Sequence, residues 1–373
     1  MRLKLKQIPF FFWCLGTLAQ VQLEIPEPEH IKSIIFKGPT EDQFPIVQLG
    51  EPIRLEFDDL SASEQDYYYR IVHCDYDWEP SQLLKSQYLS GTDNQRIINY
   101  ENSYTTLQPY SNYRLTLPNK QVGLRVSGNY VLEIYNSGNE LQFSRRFVVY
   151  QDLVQVAATV RRSRDFEFLE EKQSVQFSIR PSGIQLINPK KEVKVAILQN
   201  YHWPTALYGI RPQYTIGSEL VYRYDQETAF WGGNEYLNFD TSDLRVPTVA
   251  ISSIEMKDLY HHYLFPNRWR DSEGLDKVYV FGKFNNYALE DLNQMEFNRA
   301  TGNMEAALLL KQGFYNFKYV ILREDGTVEL NTVGGNFHFT ENNYTILVYY
   351  RNFGDIYDSV IGIGSANSST ISN

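Results

Sequence analysis

The stretch Val278-Tyr-Val-Phe-Gly-Lys-Phe-Asn-Asn-Tyr287 decides how this chain folds. Valines and bulky aromatic residues run up to Gly282, and Asn285-Asn286 then punctuate, which reads as a strand entering a turn. Working outward, Met304–Lys311 reads as a second strand, Gln312-Gly313 as a turn and Phe314–Ile321 as a third strand. Composition carries the same reading to the whole chain. Aromatic residues make up 15% of the 373 residues, and 28 of them are tyrosines, which favour strands. The expected fold class is therefore all-β, with tandem immunoglobulin-like or fibronectin-like β-sandwich domains and few helices. A chain of this length holds two or three domains with proper cores.

The N-terminus reads as an export signal over residues 1–20. Arg2, Lys4 and Lys6 form a basic start, Ile8 to Ala19 a short apolar core, and Thr17-Leu18-Ala19 a small-x-small cleavage site before Gln20. The apolar run is too short to span a bilayer. Cys14 follows Phe-Phe-Trp and lacks a lipobox, so no lipoprotein is expected. Cleavage leaves Cys74 as the single cysteine, so no internal disulfide forms. The formal charge of −10 becomes −13 once the three basic leader residues are removed. Such a balance excludes non-specific nucleic-acid binding and adhesion to an anionic membrane.

Residues 21–150 read as an N-terminal β-sandwich. Ile53, Leu55 and Phe57 alternate with Arg54, Glu56 and Asp58 in a half-buried strand. Tyr67–Trp78 is the strongest strand of this part, and Gly128–Tyr135 and Phe143–Tyr150 form a hairpin over a short loop. Residues 151–270 read as a second β-rich domain, with strands at Val154–Val160, Ser174–Arg180 and Val193–Leu198, and an irregular aromatic run from Tyr201 to Trp231. Arg268–Gly274 reads as a linker. Residues 271–364 read as a third module that includes Tyr344–Arg351 and Val360–Ile363, and 365–373 as a frayed tail.

No constellation in the chain carries chemistry. In His73-Cys-Asp-Tyr-Asp77, His73, Asp75 and Asp77 share one strand face, but neighbours on such a face lie roughly 7 Å apart, too wide to hold one ion. They read as the solvent side of a strand whose other side, ending at Trp78, is buried. His261-His262 point to opposite faces of a strand. The pairs Asp75/Asp77 and Glu170/Glu171 read as solvated surface acids. Nucleophile, zincin, phosphate-loop and dinucleotide motifs are all missing. No catalytic, cofactor-binding or metal residue is assigned, no cofactor is expected, and the protein reads as a non-enzyme.

Two resemblances add to this. Val280-Phe-Gly-Lys-Phe-Asn285 and Gly313-Phe-Tyr-Asn-Phe-Lys318 resemble the early-set, immunoglobulin-like modules of glycogen-branching and isoamylase-type enzymes. Sugar sites there use exposed tryptophans, whereas the five here stand at 13, 78, 203, 231 and 269, outside the third module, and Tyr287 takes the usual tryptophan position. An exported glycan-binding module protein is thus the second functional reading. The first rests on Ile34–Gly38, Tyr69–Ser81 with Gln87–Gly91, Tyr279–Asn286 and Asn343–Gly362. Together these resemble a family of Bacteroidetes exported proteins, the plug proteins of the type IX secretion system. That resemblance implies a periplasmic, monomeric protein at the periplasmic face of the outer membrane. It would not insert into the membrane, and would dock on a large β-barrel translocon and close it when no cargo is present.

The leader reading predicts a mature N-terminus at about Gln20. Mass spectrometry of protein purified from its native host should find that end with Cys14 removed; an acylated Cys14 at the N-terminus would overturn it.

Overall fold

The computed structural model describes residues 24–39, 44–61, 63–106, 108–240, 253–255, 260–267 and 276–371, with 253–255 and 260–267 described by their backbone alone. The leader read at 1–20, the linker read at Arg268–Gly274 and the last two residues lie outside the described residues. The all-β expectation holds: among the described residues the longest helix has four residues.

The first module is a sandwich. One sheet runs Ile31–Lys37, Ile53–Asp59, Ser111–Leu117, Asn99–Asn102, and the other Ile46–Gln48, Leu141–Tyr150, Gly128–Asn136, Tyr67–Cys74, Gln95–Arg96. Aromatic rings fill the space between them. Phe57 stacks on Tyr113 at 5.2 Å and meets Tyr67 edge-on at 5.2 Å. Buried tyrosines need partners for their hydroxyls. Tyr67 Oη donates to Asp59 Oδ2 at 2.9 Å, and Tyr113 Oη donates to the Gln65 carbonyl at 2.8 Å.

The second module is a sandwich too, but its strands come from distant parts of the chain. Val154–Arg162, Lys172–Pro181, Glu219–Tyr222 and Tyr214–Ile216 make one sheet, with Ala229–Trp231 also paired to Lys172–Pro181. Leu207–Tyr208, Val193–Gln199, Asn343–Tyr350 and Ser359–Asn367 make the other. This pairing corrects the expected chain division. The strands read as closing the third module return instead to the second, where Val195 faces Val348 and Ile197 faces Ile346 across an antiparallel ladder. The tail reading is corrected as well. Ser365–Asn367 continue the ladder opposite Asn343–Thr345, and the Ser368 hydroxyl is buried, donating to the Thr340 carbonyl at 2.7 Å. Polar residues that hydrogen-bond backbone in this way order a chain end that composition alone marks as loose.

The two sandwiches share a core. Gly128–Asn136 buries Tyr130, Leu132 and Ile134 inside the first sandwich and Val131 on its other face. Asn343–Tyr350 buries Ile346 and Val348 inside the second and Leu347 and Tyr349 on its other face. Those outer faces pack together, with Val148, Cys74, Ala196, Leu198 and Val360, as one apolar layer. The result is four stacked sheets in a single body.

The third module is an insertion into the second. Leu237–Asp240, Phe314–Leu322 and Lys277–Gly282 form one sheet, with Val328–Glu329 added. Ser253–Glu255, Tyr260–Asn267, Asn303–Lys311 and Glu296–Asn298 form the other. Leu237–Asp240 and Tyr260–Asn267, expected in the second domain, thus belong here. The landmark strand is confirmed as Lys277–Gly282, and Gln312-Gly313 carries the chain from one sheet to the other.

One strand reading needs revision. Tyr67–Cys74 ends four residues earlier than expected, and its buried face is Tyr67, Tyr69, Ile71 and His73. Trp78 is buried as expected, but from a turn: its φ of 66° is unusual for a bulky residue. The turn is closed by Trp78 N–H donating to the Asp75 carbonyl at 3.0 Å. It swings the indole into the shared layer, edge-on to Trp203 at 4.7 Å and under the Arg146 guanidinium at 4.6 Å.

Because Trp78 plugs a core common to both sandwiches, Trp78→Ala should cost about 3–5 kcal/mol. In calorimetry the first two modules should melt in one transition that shifts as a unit in the variant. Two separate transitions in the parent protein would contradict a shared core.

Candidate functional site: the seams between the modules

The seam between the first two modules carries a charge cluster drawn from both, with a buried carboxylate at its centre and partly exposed cations around it. Asp358, on the loop between the last two strands, is 2% exposed. Arg351 grips it through Nε at 3.1 Å and Nη2 at 2.8 Å, and reaches Asp75 Oδ2 at 3.0 Å. Lys194 Nζ donates to both Asp358 oxygens at 3.1 Å. Backbone joins in: Asp358 N–H donates to Asp75 Oδ1 at 2.9 Å, and Tyr76 N–H to Asp358 Oδ2 at 3.2 Å. Burial alone would push the Asp358 carboxyl up, but the Arg351 fork and Lys194 outweigh it and hold it below the usual range. At Asp75 burial wins, and its carboxyl lies above the usual range. Nearby, Tyr349 Oη donates to Asn129 Oδ1 at 2.8 Å, and Tyr76 Oη to the Val195 carbonyl at 2.8 Å. Ionic groups buried this way add little net stability against an apolar alternative, but removing one partner strands the rest. Their effect here is to fix how the two sandwiches sit on each other.

His73 lies beside this cluster and belongs to no metal site. It is 1% exposed, with Nδ1 2.8 Å from Ser81 Oγ and its ring against Tyr130, Tyr88 and Tyr357. Burial holds its pKa down to about 4. The solvent-face reading of His73 is therefore overturned, because Tyr67, Tyr69 and Ile71 on the same side face the core. Asp75 pairs across the seam and Asp77 is exposed, so the three do not converge. Among the described residues no group of three His, Cys, Asp or Glu side chains is placed to hold a metal ion. Cys74 is buried, and that burial pushes its thiol up to about 12, which leaves it unreactive. Glu170 is an exposed acid, as expected, and pairs with Arg162 and His338. Of His261 and His262 only the backbone is described, in the strand Tyr260–Asn267.

All three modules meet at a cleft of about 130 Å³ whose walls include Glu24, Phe44, Arg146, Tyr201, His202 and Asn286. Glu24 accepts from Arg146 N–H at 2.6 Å and from Asn286 Nδ2 at 2.7 Å. Phe44 stacks on Tyr201 at 4.8 Å. Tyr287, the residue at the sugar module's tryptophan position, faces into this seam against Phe281 at 5.2 Å and His202 at 6.0 Å. Trp78 and Trp203 are buried, while Trp13 and Trp269 lie outside the described residues. Trp231 is 41% exposed. It borders Phe168 and Lys172, whose Nζ sits 4.2 Å from the indole centroid, and Phe337 and Phe339 are exposed nearby in the chain segment bonded to Gly233 and Glu170. This aromatic group was invisible as a site in the sequence, where it appeared only as an irregular aromatic run.

The comparisons with known proteins agree with this architecture. Residues 31–151 match the family described as "Type 9 secretion system plug protein 1st domain", so the plug-family resemblance is borne out over the first module. No curated relative matches the chain. Among solved structures, the chain is similar to a hypothetical protein from Parabacteroides merdae ATCC 43184. That crystal structure shares 26% identity and a TM-score of 0.85, covering 92% of this chain and 99% of the other.

The buried His73 gives a pH prediction. Its folded pKa of about 4 lies below the unfolded 6.5, so its contribution is fully present above 6.5 and is lost as pH falls toward 4. The full loss is on the order of 3 kcal/mol. Urea unfolding at pH 7 and pH 4.5 should show a larger acid loss in the parent protein than in His73→Gln. Equal losses would mean that the imidazole titrates normally.

Proposed function

We propose that this protein is a non-catalytic periplasmic plug, which docks on the outer-membrane translocon of the type IX secretion system and closes it when no cargo is present. The family match over residues 31–151 carries this reading, and the whole-length likeness to one solved chain supports a single conserved architecture. The four-sheet body suits the task physically. Blocking a wide opening calls for a folded object that does not deform, and a shared apolar core with a matched ionic seam supplies one. Reversible closure calls for no bond chemistry in the plug. Cargo and plug need only compete for one opening, since a ligand shifts an equilibrium only through its differential affinity for the two states. Among the described residues no helix is long and apolar enough to cross a membrane, in keeping with docking by surface contact. The exposed aromatic rings at Trp231, Phe337 and Phe339 are the residue types that carry binding energy at protein interfaces.

Deleting the gene should let large antibiotics through the outer membrane, in a way that depends on the translocon barrel. The tagged protein should co-purify with that barrel from solubilised membranes when cargo is depleted. Unchanged permeability together with no co-purification would reject the plug reading.

A further inference from the structure

The two seams of this molecule differ in kind, and the difference separates a fixed part from a movable one. The first and second modules are joined through an apolar layer that is as buried as either sandwich interior. Among the described residues the third module contributes no side chain to that layer. Among the described residues its buried apolar clusters hold only its own side chains, from Phe239 to Leu330. Among the described residues it meets the second module where the His202 ring packs on Phe281 at 5.7 Å and on Tyr287 at 6.0 Å, and the first through polar contacts. Lys311 Nζ donates to Asp58 Oδ2 at 2.7 Å, and Asn286 Nδ2 to Glu24 Oε2 at 2.7 Å. Interfaces between domains of one chain permit relative motion unless they are large and apolar.

The covalent connections have a matching form. The chain passes from the second module to the third after Gly232-Gly233 and returns through Gly334-Gly335. The two crossings lie side by side: Asn234 Nδ2 donates to the Gly334 carbonyl at 2.8 Å, and Phe337 N–H to the Gly233 carbonyl at 2.9 Å. Gly233 has φ 66° and Gly335 φ 83°, backbone conformations that L side chains rarely adopt. A Cβ on Gly232 would lie 2.1 Å from the Phe337 carbonyl oxygen. Each crossing thus places a glycine pair beside the other; Gly232 is tied to the body by its N–H on the Glu171 carbonyl at 2.7 Å and by Asn342 Nδ2 on its carbonyl at 2.8 Å, which makes it the fixed side of the pivot. That is the form of a hinge whose few residues absorb the change in backbone angles.

We propose that the third module is a hinged arm, pivoting on the paired glycines 232–233 and 334–335 and latched against the first module by Asp58–Lys311 and Glu24–Asn286. Releasing the latch opens the three-module cleft and swings the arm away from the body while leaving the four-sheet stack intact. The inference stands on geometry of this chain alone and does not depend on the plug reading.

The test uses the full mature chain. Ser137→Cys in the first module and Glu324→Cys in the third, both at exposed turns, accept a donor and an acceptor dye. Cys74 is fully buried and does not compete for label. Single-molecule energy transfer should give one narrow distribution in the parent chain. With Asn286→Ala and Lys311→Met added, the distribution should broaden toward longer separations, while the first two modules still melt in a single transition. If that variant folds poorly, the parent chain compared at low salt and about 1 M salt provides the second reading, because screening weakens the charged latch. Broadening in either comparison, with the body still melting in one transition, supports the arm. An unchanged distribution in the folded latch variant, or in both salts where the variant does not fold, overturns it.

Discussion

Burial on both faces of the two central sheets is the constraint from which the rest of the structure follows. A lone β-sandwich puts one face of each sheet in its core and turns the other to water. Here the outer faces of Gly128–Asn136 and Leu141–Tyr150 are covered by those of Val193–Gln199 and Asn343–Tyr350. Val131, Val148, Leu198 and Leu347 therefore stand where a solvated sheet would carry polar residues. This explains why Asn343–Tyr350 hardly alternates, and why Cys74 and Trp78 are apolar on a side that would otherwise face solvent.

Such a layer forces a decision about every polar group inside it. Asp358 and, less completely, Asp75 lie where water is scarce, and each takes hydrogen bonds from the opposite module, Asp358 from the Tyr76 N–H and Asp75 from Arg351 and the Asp358 N–H. Apolar contacts tolerate sliding; Arg351 on Asp75, with the Asp358 N–H on Asp75 and the Tyr76 N–H on Asp358, does not. The ionic cluster thus sets the registration that the apolar layer stabilises. Among the described residues the third module's seam has no comparable apolar layer; it keeps polar pairs and the His202 ring against Phe281 and Tyr287. Its contacts choose a position without fixing it.

Much of this was legible in the residues, and the failures have a common cause. Strands such as Ile53–Asp59, Gly128–Asn136 and Lys277–Gly282 show their period and turn chemistry locally, so they are found where expected. The buried state of Trp78 was also readable, although its φ of 66° was not. What escaped was long-range. That Asn343–Tyr350 pairs with Val193–Gln199 across more than a hundred residues leaves no local trace, and so the third module looked like a chain end rather than an insertion. The face of Tyr67–Cys74 was misassigned because tyrosines occur on both sides of it. Polarity then had to decide, and His73 is a polar residue whose partner, Ser81, becomes apparent only when the strand is folded. The charge cluster was unreadable for the same reason, since Asp75 and Asp358 lie on separate modules. Yet both sit inside the stretches, Tyr69–Ser81 and Asn343–Gly362, that carried the family resemblance.

The same contrast bears on how a body of this kind can act on a partner. A stopper that is stiff throughout leaves an opening only by losing all its contacts together. One with a stiff core and a separately latched arm can lose them in steps, each with its own smaller free-energy change. Here the stiff part is held by an apolar layer that no modest competitor displaces, whereas the arm is held by Lys311–Asp58, by Glu24–Asn286 beside the cleft and by the His202 ring contacts. Any ligand acting on the molecule shifts the equilibrium it can most cheaply reach, and that is the arm's position rather than the fold of the body. The division of this chain into a layered core and an inserted module thereby locates its softest degree of freedom at the glycine pairs rather than at the charges that hold the core in register.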